Sequence, residues 1–140
     1  MASETAASIR EVYPTQHYAA IHPAIYKVQP KDNMGLITYE IKKIGHAERY
    51  TAKEILTALG GGQCVLLSNF EVNSQNSLRF VSTSAFTIDI DDDNQVTNPI
   101  EVLHDLKNIC TGLFYTFSHG KEGKGNRYRL FFSARPIDFR

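Results

Sequence analysis

Three things are scarce in this chain, and each scarcity narrows the field. There is no excess of charge of either sign: 15 Lys and Arg stand against 15 Asp and Glu in 140 residues. That balance argues against a protein that coats nucleic acid by bulk electrostatics, although local asymmetry still counts. Only two cysteines occur, Cys64 and Cys110. They are too few and too far apart for a C-x-x-C zinc site and read as a reduced, core-type pair of a cytosolic protein. No apolar run approaches the ~20 residues of a membrane span. The opening Met1-Ala-Ser-Glu-Thr-Ala-Ala-Ser8 lacks the basic-then-apolar order of a secretory signal. The expectation is a soluble, cytoplasmic protein with no membrane partner.

What the chain does have is one stretch that ends an apolar run in carboxylates, Phe86-Thr-Ile-Asp89-Ile-Asp91-Asp-Asp93. In a strand, Phe86, Ile88 and Ile90 point to one face, while Thr87, Asp89 and Asp91 point to the other. The two carboxylates then stand about 7 Å apart at their Cα atoms, a spacing that suits a metal. Asp89, Asp91 and Asp93 also sit at the first, third and fifth places of an EF-hand loop. That reading fails at Asn94, where glycine is needed, and at Ile100, where a bidentate Glu is needed.

Around this stretch the elements are read from local signals. Residues 1–34 are predicted to be an irregular lead-in of short strands and turns, because Pro14, Pro23 and Pro30 interrupt any long element. Its His17 and His22 are read as surface or satisfied packing groups. Residues 36–44, Leu-Ile-Thr-Tyr-Glu-Ile-Lys-Lys-Ile, are predicted as a strand. Thr51 and Glu54 form a capping box that opens a helix with Ile55, Leu56 and Leu59 on one face, closed by Gly60-Gly61-Gly62. His46, with Arg49 and Tyr50 beside that helix, either reaches the site or lies at the surface, and the surface is the expectation.

Val65-Leu66-Leu67 is a short buried strand, Asn73 to Ser77 a polar turn, and Leu78 to Val81 the approach to the acidic strand. Asn98, Pro99 and Glu101 mark a second helix start, with a helix to about Asn108 that lays Ile100, Leu103, Leu106 and Ile109 on the sheet. Leu113 to His119 and Asn126 to Phe132 read as two strands of a hairpin. The basic Gly120-Lys-Glu-Gly-Lys-Gly125 joins them; it lacks the G-x-x-x-x-G-K-[ST] order of a Walker A loop.

The predicted class is therefore α+β, with a partial RNA-recognition-type β-α-β-β sheet in the second half. A single domain over 1–140 is expected, divided into the lead-in, an N-terminal α/β subregion over 35–83 and a metal-binding sheet over 84–140. The helix and strand that would complete such a sheet are either replaced from the N-terminal half or lie in a longer protein, and the second is the expectation.

On the predicted sheet, one face gathers Asp89, Asp91, Arg127 and Arg129, with Ser118 or His119 at the edge and Lys121 and Lys124 in the adjoining loop. Carboxylates of this kind hold Mg²⁺ or Mn²⁺ while the cation bridges triphosphate oxygens, and Arg and His supply charge-assisted donors to phosphate. Ser118 with His119 makes a poor hydrolase pair, because no G-x-S-x-G elbow surrounds the serine.

The ordered pattern Phe86-Thr-Ile-Asp89-Ile-Asp91, then Phe114-Tyr-Thr-Phe-Ser118-His119, then Arg127-Tyr-Arg129-Leu-Phe-Phe and Arg135-Pro136-Ile137 resembles the archaeo-eukaryotic primase superfamily. The similarity is to the primase-polymerase domains of phage and plasmid replication proteins. It spans roughly residues 36–137 and is specific over 80–137. It implies a primase-polymerase-like fold and a two-metal site on Asp89 and Asp91, with His119 as a third catalytic group. Ser118, His119, Arg127, Arg129, Lys121 and Lys124 would contact the nucleotide. The implied partners are nucleoside triphosphates, a DNA template, and a helicase domain or other replication protein. One departure stands out: the family's third acidic residue, on a later strand, has no counterpart before Arg140, and Asp138 lies close behind the hairpin. The alternatives are a catalytically inactive module that binds nucleic acid or protein, and a metal-dependent nuclease.

Overall fold

The computed structural model describes residues 15–139. Pro14, expected to break the lead-in, lies outside them. The chain is α+β, built from two antiparallel sheets and, among the described residues, three α-helices.

The first sheet centres on β1 (Gln16–Ile25), flanked by β2 (Glu48–Thr51) and β3 (Gln63–Leu66). This corrects the irregular lead-in. Pro23 is tolerated inside a ten-residue strand because the β1–β3 register shifts between Ile21 and Ile25, where a missing N–H removes no ladder bond. The predicted strand over 36–44 is likewise a helix, α1 (Met34–Ile44). Its only buried side chains are Ile37 and Ile41, four residues apart and thus on one helical face. It stops at Gly45, whose φ of 81° lets its N–H return to the Ile41 carbonyl.

The helix α2 (Ala52–Gly60) has the predicted capping box: Glu54 N–H donates to Thr51 Oγ1, and Thr51 N–H donates to Glu54 Oε1. Helix α3 (Pro99–Asp105) starts as predicted at Asn98, whose Oδ1 accepts from Ile100 and Glu101 N–H. It ends three residues earlier than predicted, and Ile100 and Ile109 are 62 % and 64 % exposed instead of lying on the sheet. Val102, Leu103 and Leu106 do the packing.

The second sheet has the order β4-β5-β7-β6, from β4 (Asn69–Val72), β5 (Leu78–Asp92), β6 (Gly112–Tyr115) and β7 (Asn126–Asp138). The β5-α3-β6-β7 run is a split β-α-β unit, in which β7 lies between β5 and β6. The far edge of β5 is filled from upstream by β4, so β5 runs straight through the predicted boundary at 83/84.

Three apolar clusters hold these layers together. Ala19, Ile55, Ala85 and Phe131 join β1, α2, β5 and β7. Ala20, Ile37, Ile41 and Phe70 fasten α1 to β1 and β4. Cys110, Tyr128, Leu130 and Phe132 lie under α3. Both cysteines are free, and burial pushes both thiols above their ordinary pKa, so neither is poised as a nucleophile. Among the described residues no helix is long and apolar enough to cross a membrane.

Candidate functional site

The site is built by register. Strands β5 and β7 pair Asp89 with Arg129 and Asp91 with Arg127. Residues directly opposed in an antiparallel ladder share a face, so two carboxylates and two guanidinium groups stand together. Further along the same face, Phe131 is fully buried against Ile55 of α2. The core thus anchors one end of both strands, and their polar ends project beyond it.

The charges pair closely. Arg127 Nη1 lies 2.7 Å from Asp91 Oδ1, and its Nη2 reaches Asp93 Oδ1. Arg129 Nε lies 3.4 Å from Asp89 Oδ1. Arg127 is the best held of the five: its side chain is 14 % exposed, while Asp89, Asp91 and Asp93 are all more than half exposed. Its Nε also donates to the Lys124 carbonyl. The hydrogen bond to Asp91, helped by the charges of Asp91, Asp93 and Asp89, raises the pKa of Arg127 and keeps it cationic.

Asp93 was not singled out as a site residue from the sequence. Its signal was there, in the alternation of Asp89, Asp91 and Asp93. Asp92 does the opposite job. It faces away and accepts from Thr97 Oγ1, Thr97 N–H, Val96 N–H and Asn126 Nδ2. Those bonds, the Thr97 hydroxyl first, pull its pKa down to about 2. Asp92 thereby fixes the turn that presents Asp93.

Strand β6 ends at Tyr115, so Ser118 and His119 lie in the following turn and not at a strand end. The reason is visible in the bonding: Thr116 N–H still reaches the Arg127 carbonyl, but the Arg127 N–H goes to His119 Nδ1 at 3.2 Å. The imidazole replaces the next rung of the ladder. With Nδ1 accepting, the proton of the neutral ring sits on Nε2. The ring also stacks on Tyr115, with centroids 4.1 Å apart. Tyr115 pairs with Tyr128, on the face opposite the carboxylates, so His119 sits at the sheet edge and contacts neither Asp89 nor Asp91. Lys121 and Lys124 are exposed in the Gly120–Gly125 loop. Asp138 pairs with Ser82, seven positions along β5 from Asp89, which removes it from the site.

The donor set for a cation is all oxygen, as a hard divalent ion prefers. Among the described residues no group of three His, Cys, Asp or Glu side chains converges on one point. Two carboxylates with the remaining coordination left to phosphate oxygens and water is nonetheless how Mg²⁺ is commonly held in phosphoryl-transfer sites, so Asp89 and Asp91 fit it. No family model, no curated protein and no solved structure matches this chain.

Proposed function

We propose that the face carrying Asp89 and Asp91 is a nucleotidyl-transfer site of the primase-polymerase kind, which joins nucleoside triphosphates on a DNA template. One observation carries this reading: the β5–β7 register sets two carboxylates of one strand opposite two arginines of the next on an exposed face. In it, Asp89 and Asp91 hold Mg²⁺ or Mn²⁺. The cation, when bound, neutralises the triphosphate and stabilises charge at the leaving pyrophosphate.

The chain's own residues do the rest. Arg127 and Arg129, paired with the carboxylates in the absence of substrate, turn to phosphate oxygens when a cation takes their place, so no charge is left unpaired in either state. His119, with its proton fixed on Nε2 by the Arg127 amide, donates to a phosphate oxygen from the sheet edge. Ser118 and the loop lysines Lys121 and Lys124 add donors to the same phosphates. Such a domain would work beside a helicase or another phage or plasmid replication protein.

A second reading rests on the same ion pairs. With Asp89, Asp91 and Asp93 all tied to the two arginines, the face is an ion-paired surface suited to a catalytically inactive module that binds nucleic acid or protein. Calorimetric titration with a nucleoside triphosphate, with and without Mn²⁺, separates the two. Transferase chemistry predicts metal-dependent binding that disappears in both Asp89→Asn and Asp91→Asn, followed by primer synthesis on a template. Binding that is indifferent to Mn²⁺ and to both substitutions would refute it and favour the binding module. Shortened template in place of extended primer would mark a nuclease.

A further inference from the structure

A cavity away from the carboxylate face lies between residues of the first sheet and residues of the second. It has a volume of about 350 Å³, at the small end of ligand-binding clefts. Gln16 and Tyr18 of β1 and Arg49 of β2 form one wall; Ser82 and Ser84 of β5 and Pro136 of β7 form the other. We propose that this cleft is an anion site that takes the phosphate group of a small phosphorylated molecule.

The charge balance is the first argument. No carboxylate is among the lining residues, although Asp138 stands across the ladder from Ser82. Arg49 is exposed with its guanidinium 5.0 Å over the Tyr18 ring, and it makes no ion pair with a described residue. Glu48, its neighbour in sequence, turns instead toward His46 and Tyr50. A guanidinium without a carboxylate, beside hydroxyl and amide donors, is the chemistry that recognises a phosphate.

The second argument lies in the wall behind Ser84. Its Oγ is 2.7 Å from Nδ1 of His17, and His17 Nε2 is 3.1 Å from Ser133 Oγ. His17 is 2 % exposed, and burial pushes its imidazole below the ordinary pKa, so the ring is neutral near pH 7. A neutral ring has one N–H, so it donates to one serine and accepts from the other. When Nδ1–H donates to Ser84, the Ser84 hydroxyl proton is released to point into the cleft, and Ser133 donates to Nε2. Thr111 Oγ1, 3.3 Å from Ser133 Oγ, extends the chain to the surface. An anion in the cleft therefore selects one tautomer of a buried histidine. Ser82 and Gln16 supply further donors.

The site stands apart from the carboxylate face in residues and in chemistry, and its test uses no divalent cation. Amide and imidazole ¹⁵N spectra of the whole chain would be titrated with inorganic phosphate, ribose 5-phosphate and, as the uncharged control, ribose. Saturable shifts at Gln16, Tyr18, Arg49, Ser82 and Ser84 are expected with both phosphates and not with ribose, together with a move of the His17 nitrogens toward the Nδ1–H tautomer. Arg49→Gln should weaken the binding about tenfold or more, as loss of a charge-assisted donor pair implies, and Arg49→Lys less so. A preference for ribose 5-phosphate would identify a sugar phosphate as the ligand, and equal affinity a bare phosphate. Shifts confined to Arg127, Arg129 and His119, equal shifts with ribose, or affinity unchanged in Arg49→Gln would each overturn the assignment.

Discussion

Ile55 and Ile100 both stand in the first turn of a helix, yet the same truncation should cost very different amounts. Ile55 is fully buried, and its neighbours Ala19, Ala85 and Phe131 come from strands of both sheets. Those walls are backbone-bound and two of them are already alanine, so a space opened at Ile55 has little means of closing. Burial of this kind places Ile55→Ala in the upper part of the usual 2–5 kcal/mol range, at about 4 kcal/mol. A domain of this length is stable by roughly 7–21 kcal/mol, so the variant still folds and its loss is measurable. Ile100 is 62 % exposed, and Ile100→Ala should stay within about 0.5 kcal/mol of zero, with alanine's better helix propensity offsetting the lost contact. Urea unfolding followed by circular dichroism reads both, with an unchanged denaturant slope. A cost below about 1 kcal/mol at Ile55 would mean that α2 does not join the two sheets. A cost above about 2 kcal/mol at Ile100 would mean that α3 is rotated to put that residue on the sheet.

Three further outcomes are expected. Thr51→Ala removes the acceptor for the Glu54 amide and should cost about 1 kcal/mol in the same unfolding assay; no loss would mean that the capping box does not form. Asp92 is held at about 2 in the fold against an ordinary 3.8. Its carboxylate therefore stabilises the protein fully above the unfolded value, and that contribution fades as pH falls through 3.8 and then 2. Melting temperature measured from pH 6 down to pH 2 should drop less steeply in Asp92→Asn than in the wild type, and parallel curves would count against the Asp92–Thr97 turn. Gly125 sits at φ 58°, where an added Cβ would overlap the carbonyl oxygens of Asp92 and Asp93. Gly125→Ala should cost at least ~1–2 kcal/mol from the left-handed backbone alone and also weaken triphosphate binding, whereas full retention of both would show that the two turns do not meet.

Signals that act over a few residues were the ones the sequence revealed. The Thr51–Glu54 box and the Asn98–Pro99 start survive folding because each is satisfied by its own neighbours; the alternation of Asp89 and Asp91 survives because the strand's own period of two sets it, although their partners Arg129 and Arg127 come from β7. Errors arose where distant packing decided. Ile37, Thr38 and Ile41 have β-branched side chains that suggest a strand, but Ile37 and Ile41 share one helical face buried against Ala20 and Phe70. Gly45 as a C-terminal cap was the overlooked clue. Pro23 hid β1, since nothing local shows that the register shifts beside it. His119 was placed on a strand because its role as a replacement rung depends on Arg127, eight residues later. Arg49 was visible only as a neighbour of a helix, and its cleft exists only once β5 and β7 come alongside.

The two neighbours of β5 differ greatly in distance along the chain, and this sets an order of folding events. Only the turn from Asn73 to Ser77 separates β4 from β5, whereas α3, β6 and the glycine loop intervene before β7 begins at Asn126. Short-range closure precedes long-range closure, so the β4–β5 hairpin should form while β7 is still undocked. In that interval Asp89, Asp91 and Asp92 lie on β5 with Asp93 just past its end, all without Arg127 or Arg129, and their attraction for the incoming arginines, together with the relief of their own repulsion, speeds the docking of β7. Screening by salt should weaken that drive. Stopped-flow refolding is expected to slow as sodium chloride is raised and to lose most of that dependence in Asp89→Asn/Asp91→Asn; a salt-independent rate in the wild type would show that these charges play no part in the docking step.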